Sequence, residues 1–285
     1  QEAGVGMNKI TTMEEAVRTI PSGCSLGFGG MTLYRRPVAL VRSLLCTEAT
    51  GFTLVSITCG LESDLLVGAG RVQQVRTCYF GLEAFGLAPM FTAGATAGEV
   101  RVIEETEASL AFGFRASLSG VGFMPSTAWL GTDLPMVRPD VKTVQDPYSG
   151  EEYTAFPALE LDVAVIHAVE ADQMGNAELV GNLALDRQMA LVADHVIVTA
   201  ERVVERLSGT LDLPGYKVSL VVEAPGGAWP TSCYPLYSVE GDELLDYVEF
   251  CGSGRFDDYL DRFLAHVPPG AGVDQGAGTL YNRSR

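Results

Sequence analysis

The sequence of 285 residues predicts an α/β protein with an open, mostly parallel sheet and helices on both faces. Short apolar runs alternate along the chain with stretches of helical periodicity, an order typical of strand–helix–strand units. The runs are apolar throughout instead of alternating with polar residues, as expected of strands covered on both sides. Apolar residues make up 47% of the chain and charged residues 19%, so the chain has enough apolar surface to form a core.

Local signals predict the first elements. Thr12, followed by Glu15 three positions on, forms a capping box, so a helix is predicted over residues 13–20. A buried strand follows over residues 24–28 and ends in Gly29–Gly30. Pro37 suits the first position of the next helix because its fixed backbone angle fits there and its missing N–H costs nothing.

The same alternation predicts the rest of the fold and its divisions. Strands are predicted over 52–58, 72–79, 100–103, 161–167, 195–199 and 218–222, and helices over 64–67, 107–118 and 185–192, with a break at 130–160. Two amphipathic helices follow at about 243–250 and 256–266. We therefore expect a tag or disordered start over residues 1–6, one α/β domain over 7–240, and a helical tail over 241–285 that packs on it.

Charge and cysteine content exclude several classes of function. The 36 acidic and 19 basic residues give a net charge of −17, which repels nucleic acid and anionic lipid. The apolar runs are shorter than the roughly 20 residues of a membrane span. Six scattered cysteines without a Cys-x-x-Cys pair, and only three histidines, give no pattern of metal ligands. These features predict a cytoplasmic protein with no metal and no nucleic-acid or membrane partner.

The loop after the first strand is the first candidate site, because open sheets bind ligands beyond the carboxyl ends of their strands. Gly29, Gly30 and Met31 are predicted to present free backbone N–H groups to an oxyanion or a phosphate. The alternative is a tight turn without a ligand. Arg35 and Arg36 in the same loop are predicted to bind a substrate carboxylate or phosphate, the alternative being a solvated surface patch.

Three glutamates form the second candidate site. Glu104, Glu105 and Glu107 follow a predicted strand at the start of a helix, and one of them could act as a general base or a nucleophile. The alternative is that they only stabilise the positive end of the helix dipole.

Two further strand ends carry polar side chains. Ser232, Cys233 and Tyr234 offer a hydroxyl, a thiol and a phenol that could orient a substrate carboxylate or thioester, unless they only cap a turn. His167 ends an apolar strand, and we interpret it as a hydrogen-bonded core or rim histidine rather than a catalytic one.

Four stretches together resemble family I coenzyme A transferases. They are SGCSLGFGGMTLYRRP (22–37), RASLSGVGFMP (115–125), LDVAVIHAVEADQMGNAEL (161–179) and EAPGGAWPTSCYPLY (223–237). The last is most similar to the A (alpha) subunit of glutaconate CoA-transferase. The resemblance extends over about residues 9–250 and implies the CoA-transferase fold.

The resemblance also implies chemistry and partners. Family members transfer coenzyme A through a glutamyl thioester, and in two-chain members that glutamate lies on the B (beta) subunit. No stretch of the Ser-Glu-Asn-Gly type that carries it occurs in this sequence. The chain is therefore identified as an A-type subunit of an enzyme that transfers coenzyme A from a glutaconate-like acyl-CoA, through a glutamyl thioester on a B-type partner. The expected assembly is A2B2 or larger, with coenzyme A as cosubstrate.

The sequence departs from the family pattern at two positions that bear on the acyl substrate, and the family includes enzymes with other reactions. Arg35 stands where many transferases have glycine, and Ser22 replaces an acidic residue, which favours a dicarboxylic, glutaconate-like acyl group. Similar subunit pairs include glutaconyl-CoA-type decarboxylases and ring-opening acyl-CoA hydrolases, and the IEETE stretch is a mild indication of hydrolase chemistry. The same broad fold serves sugar-phosphate sensors joined to DNA-binding helices, which the net charge of −17 disfavours.

Overall fold

The computed structural model describes residues 8–266 and confirms the α/β class. The strands are β1 (Ser25–Phe28), β2 (Phe52–Val55), β3 (Thr58–Cys59), β4 (Val72–Thr77), β5 (Tyr79–Phe80), β6 (Arg101–Glu104), β7 (Phe123–Ser126), β8 (Lys142–Gln145), β9 (Glu152–Pro157), β10 (Val163–Asp172), β11 (Ala177–Glu178), β12 (His195–Val204) and β13 (Leu220–Glu223). The α-helices are α1 (Met13–Arg18), α2 (Val38–Leu45), α3 (Leu61–Gly68), α4 (Pro89–Ala97), α5 (Glu107–Leu118), α6 (Leu134–Val137), α7 (Asp186–Val192), α8 (Gly241–Gly252) and α9 (Phe256–Ala265).

The main sheet is parallel and has its switch point beside β1. Its order is β13-β12-β10-β1-β2-β4-β6, and β11 pairs antiparallel with β10. From β1 the chain builds β2, β4 and β6 on one side and then crosses to build β10, β12 and β13 on the other. In such a sheet the crevice opens at the carboxyl ends where the strand order reverses. The loop that follows Phe28 therefore begins at that crevice.

Both faces of the sheet are buried along its central strands, as the apolar runs predict, whereas the edge strand β6 is largely exposed. Along β10, Val163 and Val165 belong to one apolar cluster, whereas Ala164 and Ile166 belong to another. Successive side chains of a strand point to opposite faces, so the two clusters lie on opposite sides of the sheet.

Residues 123–157 contain three strands where the sequence predicts a break over 130–160. Strands β7, β9 and β8 form a separate antiparallel sheet, over which Trp129, Val141 and Phe156 build a small core. The sequence pattern missed this sheet because its strands are short and largely exposed.

The helices after residue 240 pack on the main domain. Leu244 and Tyr247 of α8, with Phe256, Tyr259 and Phe263 of α9, are buried in the first apolar cluster. The predicted start over residues 1–6, and the part of the tail beyond residue 266, lie outside the described residues.

Asp64 links this tail to the domain through a buried carboxyl group. Its oxygens accept hydrogen bonds from the Tyr247 hydroxyl (2.6 Å) and from the backbone N–H groups of Phe91 (2.6 Å) and Met90 (3.2 Å). Asp64 thereby caps the start of α4, a helix whose small residues gave no apolar periodicity. Burial raises the pKa of Asp64 to about 6.

We expect Asp64→Asn to change how stability depends on pH. The folded pKa is raised, so the stability that Asp64 contributes is fully present below its unfolded pKa of 3.8 and is lost as pH rises through about 6. Relative to Asp64→Asn, the wild-type chain should lose about 1–3 kcal/mol between pH 4 and pH 7. Urea unfolding of both proteins across this range measures the difference, and parallel curves would contradict the raised pKa.

A candidate active site at the carboxyl edge of the sheet

The loop after β1 is strained and closely packed. Gly30 has φ +83°, and a Cβ atom there would lie 2.3 Å from the carbonyl oxygen of Tyr34. Thr32 and Arg35 also have positive φ, at 42° and 56°. Non-glycine residues in this conformation persist where surrounding contacts enforce it, and they cluster at functional sites.

The backbone donors of this loop are not free, contrary to the sequence prediction. Gly29 N–H donates to the carbonyl of Val165 (2.8 Å), and Met31 N–H donates to that of Tyr34 (2.9 Å). Gly30 N–H donates to Oδ1 of Asp186 (2.9 Å). The expected oxyanion hole is therefore occupied by the protein itself. Asp186 lies 156 positions from Gly30, so no local pattern could show it.

Arg35 is an internal residue and not part of a solvated patch. Its side chain is 2% exposed, and Nη2 lies 2.6 Å from Oδ2 of Asp186. The guanidinium also donates to the carbonyls of Val180 (2.9 Å), His167 (2.9 Å) and Asn182 (3.0 Å). Because Asp186 balances its charge, Arg35 no longer supports the expected dicarboxylic substrate.

Arg36 is fully buried, so the predicted contact between its side chain and a substrate is wrong for this structure. Nη2 lies 2.5 Å from Oε1 of Glu62, and both side chains have zero exposure. Nη1 donates to the carbonyls of Gly30 (3.0 Å) and Phe28 (3.4 Å). Arg36 therefore holds the backbone at the end of β1 in place by donating hydrogen bonds to these two carbonyls.

We expect Gly30→Ala to destabilise the protein more than a matched glycine substitution. Gly98 also has positive φ, at +75°, but a Cβ atom there meets nothing within 4 Å. Gly98→Ala should cost about 1 kcal/mol for the backbone conformation alone. Gly30→Ala must in addition displace the loop, and should cost at least about 1–3 kcal/mol more. Denaturant unfolding of the two variants tests this, and equal losses would contradict the close packing.

An acidic cavity of about 600 Å³ joins the two predicted sites. Glu104, Glu105 and Glu107 line it opposite residues of the loop after β1. The full lining is Met31, Thr32, Thr58, Cys78, Tyr79, Glu83, Glu104, Glu105, Thr106 and Glu107. The sheet thus brings together segments that are about 70 positions apart in the sequence, as expected of strand ends at one edge.

Glu105 differs from its two neighbours. Glu104 and Glu107 are exposed, whereas Glu105 is 3% exposed. Its Oε1 lies 2.7 Å from Nη2 of Arg76 and 2.9 Å from Nη1 of Arg138. Both ion pairs use Oε1, so Oε2 of Glu105 takes no part in them. Glu105 lines the cavity. A stabilising role at the helix terminus does not explain this arrangement for Glu105.

A second cavity, of about 330 Å³, lies beside the first. Ser232 and Tyr234 line it, as does Arg35, so three of the residues predicted to bind substrate meet there. Cys233 is fully buried, and burial raises its pKa to about 12, which keeps the thiol neutral. The Cys233 thiol is therefore not accessible to a substrate in this structure, contrary to the prediction.

His167 is a satisfied core histidine, as interpreted from the sequence. It has zero exposure, and its ring nitrogens contact Oγ1 of Thr199 (2.8 Å) and Oε1 of Glu201 (2.8 Å). Glu201 also accepts hydrogen bonds from the Tyr237 hydroxyl and from Gly226 N–H. Burial raises the pKa of Glu201, but these hydrogen bonds outweigh it and hold the pKa below its ordinary value.

The sequence did not show that His167 and Glu201 meet Cys233. Their ligand atoms lie within 4.8 Å of one another, a grouping that could hold a metal ion. In this structure both nitrogens of His167 are occupied by the hydrogen bonds described above. The contacts therefore describe a polar network that ties β10 and β12 to the loop after β13.

An open parallel sheet with an acidic cavity at the carboxyl ends of β1, β2, β4 and β6 defines an α/β protein whose candidate ligand site lies at the carboxyl edge. The coenzyme A transferase family model matches residues 10–224, and the chain belongs to this family. Within residues 8–266, no helix has the length and apolar character of a membrane span.

Several proteins are similar to this chain. It is 35% identical to the cholesterol ring-cleaving hydrolase IpdA subunit of Rhodococcus jostii, over 95% of each chain. It is 29% identical to the A subunit of glutaconate CoA-transferase from Acidaminococcus fermentans, over 93% of this chain and 97% of the other. The decarboxylase AibA/AibB C56S variant superposes with a TM-score of 0.86 at 30% identity, over 92% of this chain and all of the other. The chain spans 60% of the length of an uncharacterized Archaeoglobus fulgidus protein that is 32% identical.

Proposed function

We propose that this chain is the A-type subunit of a cytoplasmic two-subunit enzyme that acts on acyl-CoA thioesters, and that Glu105 is the carboxylate it contributes to the reaction. The observation that carries the proposal is the position of Glu105. Its Oε1 is held by Arg76 and Arg138, and Glu105 lines a cavity that residues of the loop after β1 also line. Similarity to proteins named as A subunits supports a B-type partner, and an A2B2 or larger assembly is part of the proposal.

The arrangement supports general-base chemistry. A general base must reach the proton that it removes while its own orientation is fixed by other groups. The two arginines fix one oxygen of Glu105, and Oε2 would accept the proton of a water molecule as that water attacks the thioester carbonyl carbon. The C–S bond then breaks, and Glu105 returns the proton to the leaving thiolate, which gives the free acid and coenzyme A. Similarity to subunits named as ring-cleaving hydrolases supports water as the attacking group.

Coenzyme A transfer is the second candidate. Similarity to the A subunits of 3-oxoadipate and glutaconate CoA-transferases favours it. In this scheme a glutamate of the partner attacks the thioester carbonyl, which releases the coenzyme A thiolate and leaves a mixed anhydride. The thiolate then attacks the glutamyl carbonyl, which gives a glutamyl thioester and releases the acyl group as a carboxylate. This chain supplies the walls of the cavity. A decarboxylase is the remaining variant on the same two-subunit fold, favoured by the similarity to AibA/AibB.

One experiment separates hydrolysis from transfer. The complex of this chain with its B-type partner is incubated with acyl-CoA and then with borohydride, which reduces a glutamyl thioester. An adduct on the partner, found by mass spectrometry, supports transfer. Turnover to free acid without an adduct supports hydrolysis with Glu105 as the base.

We expect the isolated chain to have no acyl-CoA activity. The cavity is bounded on this chain by carboxylates, so groups that bind the anionic phosphates of coenzyme A must come largely from the partner. Activity should appear on mixing the two polypeptides. Turnover by this chain alone, shown to be free of partner by mass spectrometry, would contradict its proposed place in a two-chain enzyme.

A further inference from the structure

The second cavity shares a wall with the acidic cavity. Met31 lines both, so a ligand with its thioester in the acidic cavity could extend past Met31 into the second one. The second cavity is lined by Met31, Tyr34, Arg35, Val180, Gly181, Asn182, Ser232 and Tyr234. Its volume of about 330 Å³ is at the small end of ordinary ligand pockets, which start at roughly 300 Å³.

The charge at this cavity is balanced within the protein. Among the residues described in its lining, Arg35 alone is charged, and Oδ2 of Asp186 lies 2.6 Å from its Nη2. Its other hydrogen bonds go to backbone carbonyls, including those of Val180 and Asn182. A carboxylate that entered would lose its hydration without meeting an unpaired positive charge, which is unfavourable.

The remaining surface suits an uncharged group. The side chains of Met31 and Val180 and the ring of Tyr34 are apolar, and the hydroxyl groups of Tyr34 and Tyr234 are able to donate to a neutral oxygen. The side chain of Asn182 already accepts a hydrogen bond from Ala184 N–H.

From this we infer that the second cavity binds the end of the acyl group farthest from the thioester, and that it selects an uncharged acyl group over one that ends in a carboxylate. The inference rests on the proposed function and gives its substrate class. Val180 and Tyr34 are the specificity-determining side chains, because they form the apolar wall.

The test uses two unreactive thioethers of equal length, hexyl-CoA and 5-carboxypentyl-CoA, so that turnover does not consume the probe. Their dissociation constants for the two-subunit complex are measured by calorimetry, with coenzyme A as the reference. We expect hexyl-CoA to bind at least tenfold more tightly than 5-carboxypentyl-CoA. Tighter or equal binding of the carboxylate probe would overturn the inference.

The variant Val180→Trp tests whether the hexyl group binds in the second cavity. Val180 is half-buried, so the larger ring should fill the cavity without entering the core. We expect the affinity for hexyl-CoA to fall at least tenfold while that for coenzyme A stays unchanged. Val121→Trp is the matched control, since Val121 is 44% exposed and lies outside both linings. Val180→Phe serves as a milder variant.

The outcomes distinguish the two proposals. If coenzyme A binds but Val180→Trp leaves hexyl-CoA affinity unchanged, the inference is wrong and the proposed function stands. If neither coenzyme A nor either thioether binds to the complex, the proposed function fails and the inference fails with it.

Discussion

Glu105→Gln should lower kcat of the two-subunit complex at least about 100-fold, the usual contribution of a general base. Glutamine keeps the size of the side chain and an oxygen that accepts hydrogen bonds from Arg76 and Arg138. It cannot take up a proton at the position of Oε2. Steady-state kinetics of the purified complex, with the acyl-CoA that it turns over, measure the loss.

Two neighbours supply the matched controls. Glu104 and Glu107 line the same cavity but are exposed. Glu104→Gln and Glu107→Gln should retain most of the activity, since neither carboxylate is buried and held by two arginines as that of Glu105 is. A complex in which all three variants remain fully active, and in which borohydride traps an adduct on the partner, would reject the general base and support transfer.

A structural effect of Glu105→Gln must be separated from a catalytic one. The substitution leaves Arg76 and Arg138 facing a neutral group, and this could loosen the loop between β6 and α5. Affinity for coenzyme A and assembly with the partner report such loosening. We expect both to stay near wild type while kcat falls, because the base acts in the chemical step.

Arg36→Met should destabilise the chain by about 3–5 kcal/mol, the usual cost of leaving a buried charge without its partner. The variant leaves Glu62 buried at zero exposure without its counter-charge. It also removes the donor to the carbonyls of Gly30 and Phe28. Denaturant unfolding measures the loss.

The double variant Arg36→Met/Glu62→Met is the control for the charge. It removes both members of the pair, and replacing a buried pair by apolar side chains is often close to neutral. We expect it to recover part of the lost stability but not all, since the carbonyls of Gly30 and Phe28 still lose their donor. A double variant less stable than Arg36→Met would contradict the role of the unpaired charge.

Much of the fold was predictable because its signals are local. A capping box at Thr12 and Glu15 fixed the first helix, which ends at Arg18. Continuous apolar runs located the strands of the main sheet on both sides of β1. Helix α4 and the sheet of β7, β9 and β8 were missed. The first begins at backbone donors capped by Asp64 from another helix, and the second depends on pairing between short exposed strands.

The sequence by itself determined the class of the fold, the family resemblance and the strand ends at which the candidate site lies. These follow from periodicity, turn residues and motifs, which are all local features of the sequence. Only the tertiary structure decided what each site residue does. Asp186 accepts the hydrogen bond of Gly30 N–H and forms an ion pair with Arg35, and Glu62 forms a buried ion pair with Arg36. The arginines that hold Glu105 come from β4 and from the segment after α6. Ion pairs and hydrogen bonds form between atoms about 3 Å apart in space. The separation of two residues along the chain does not predict whether their side chains come that close.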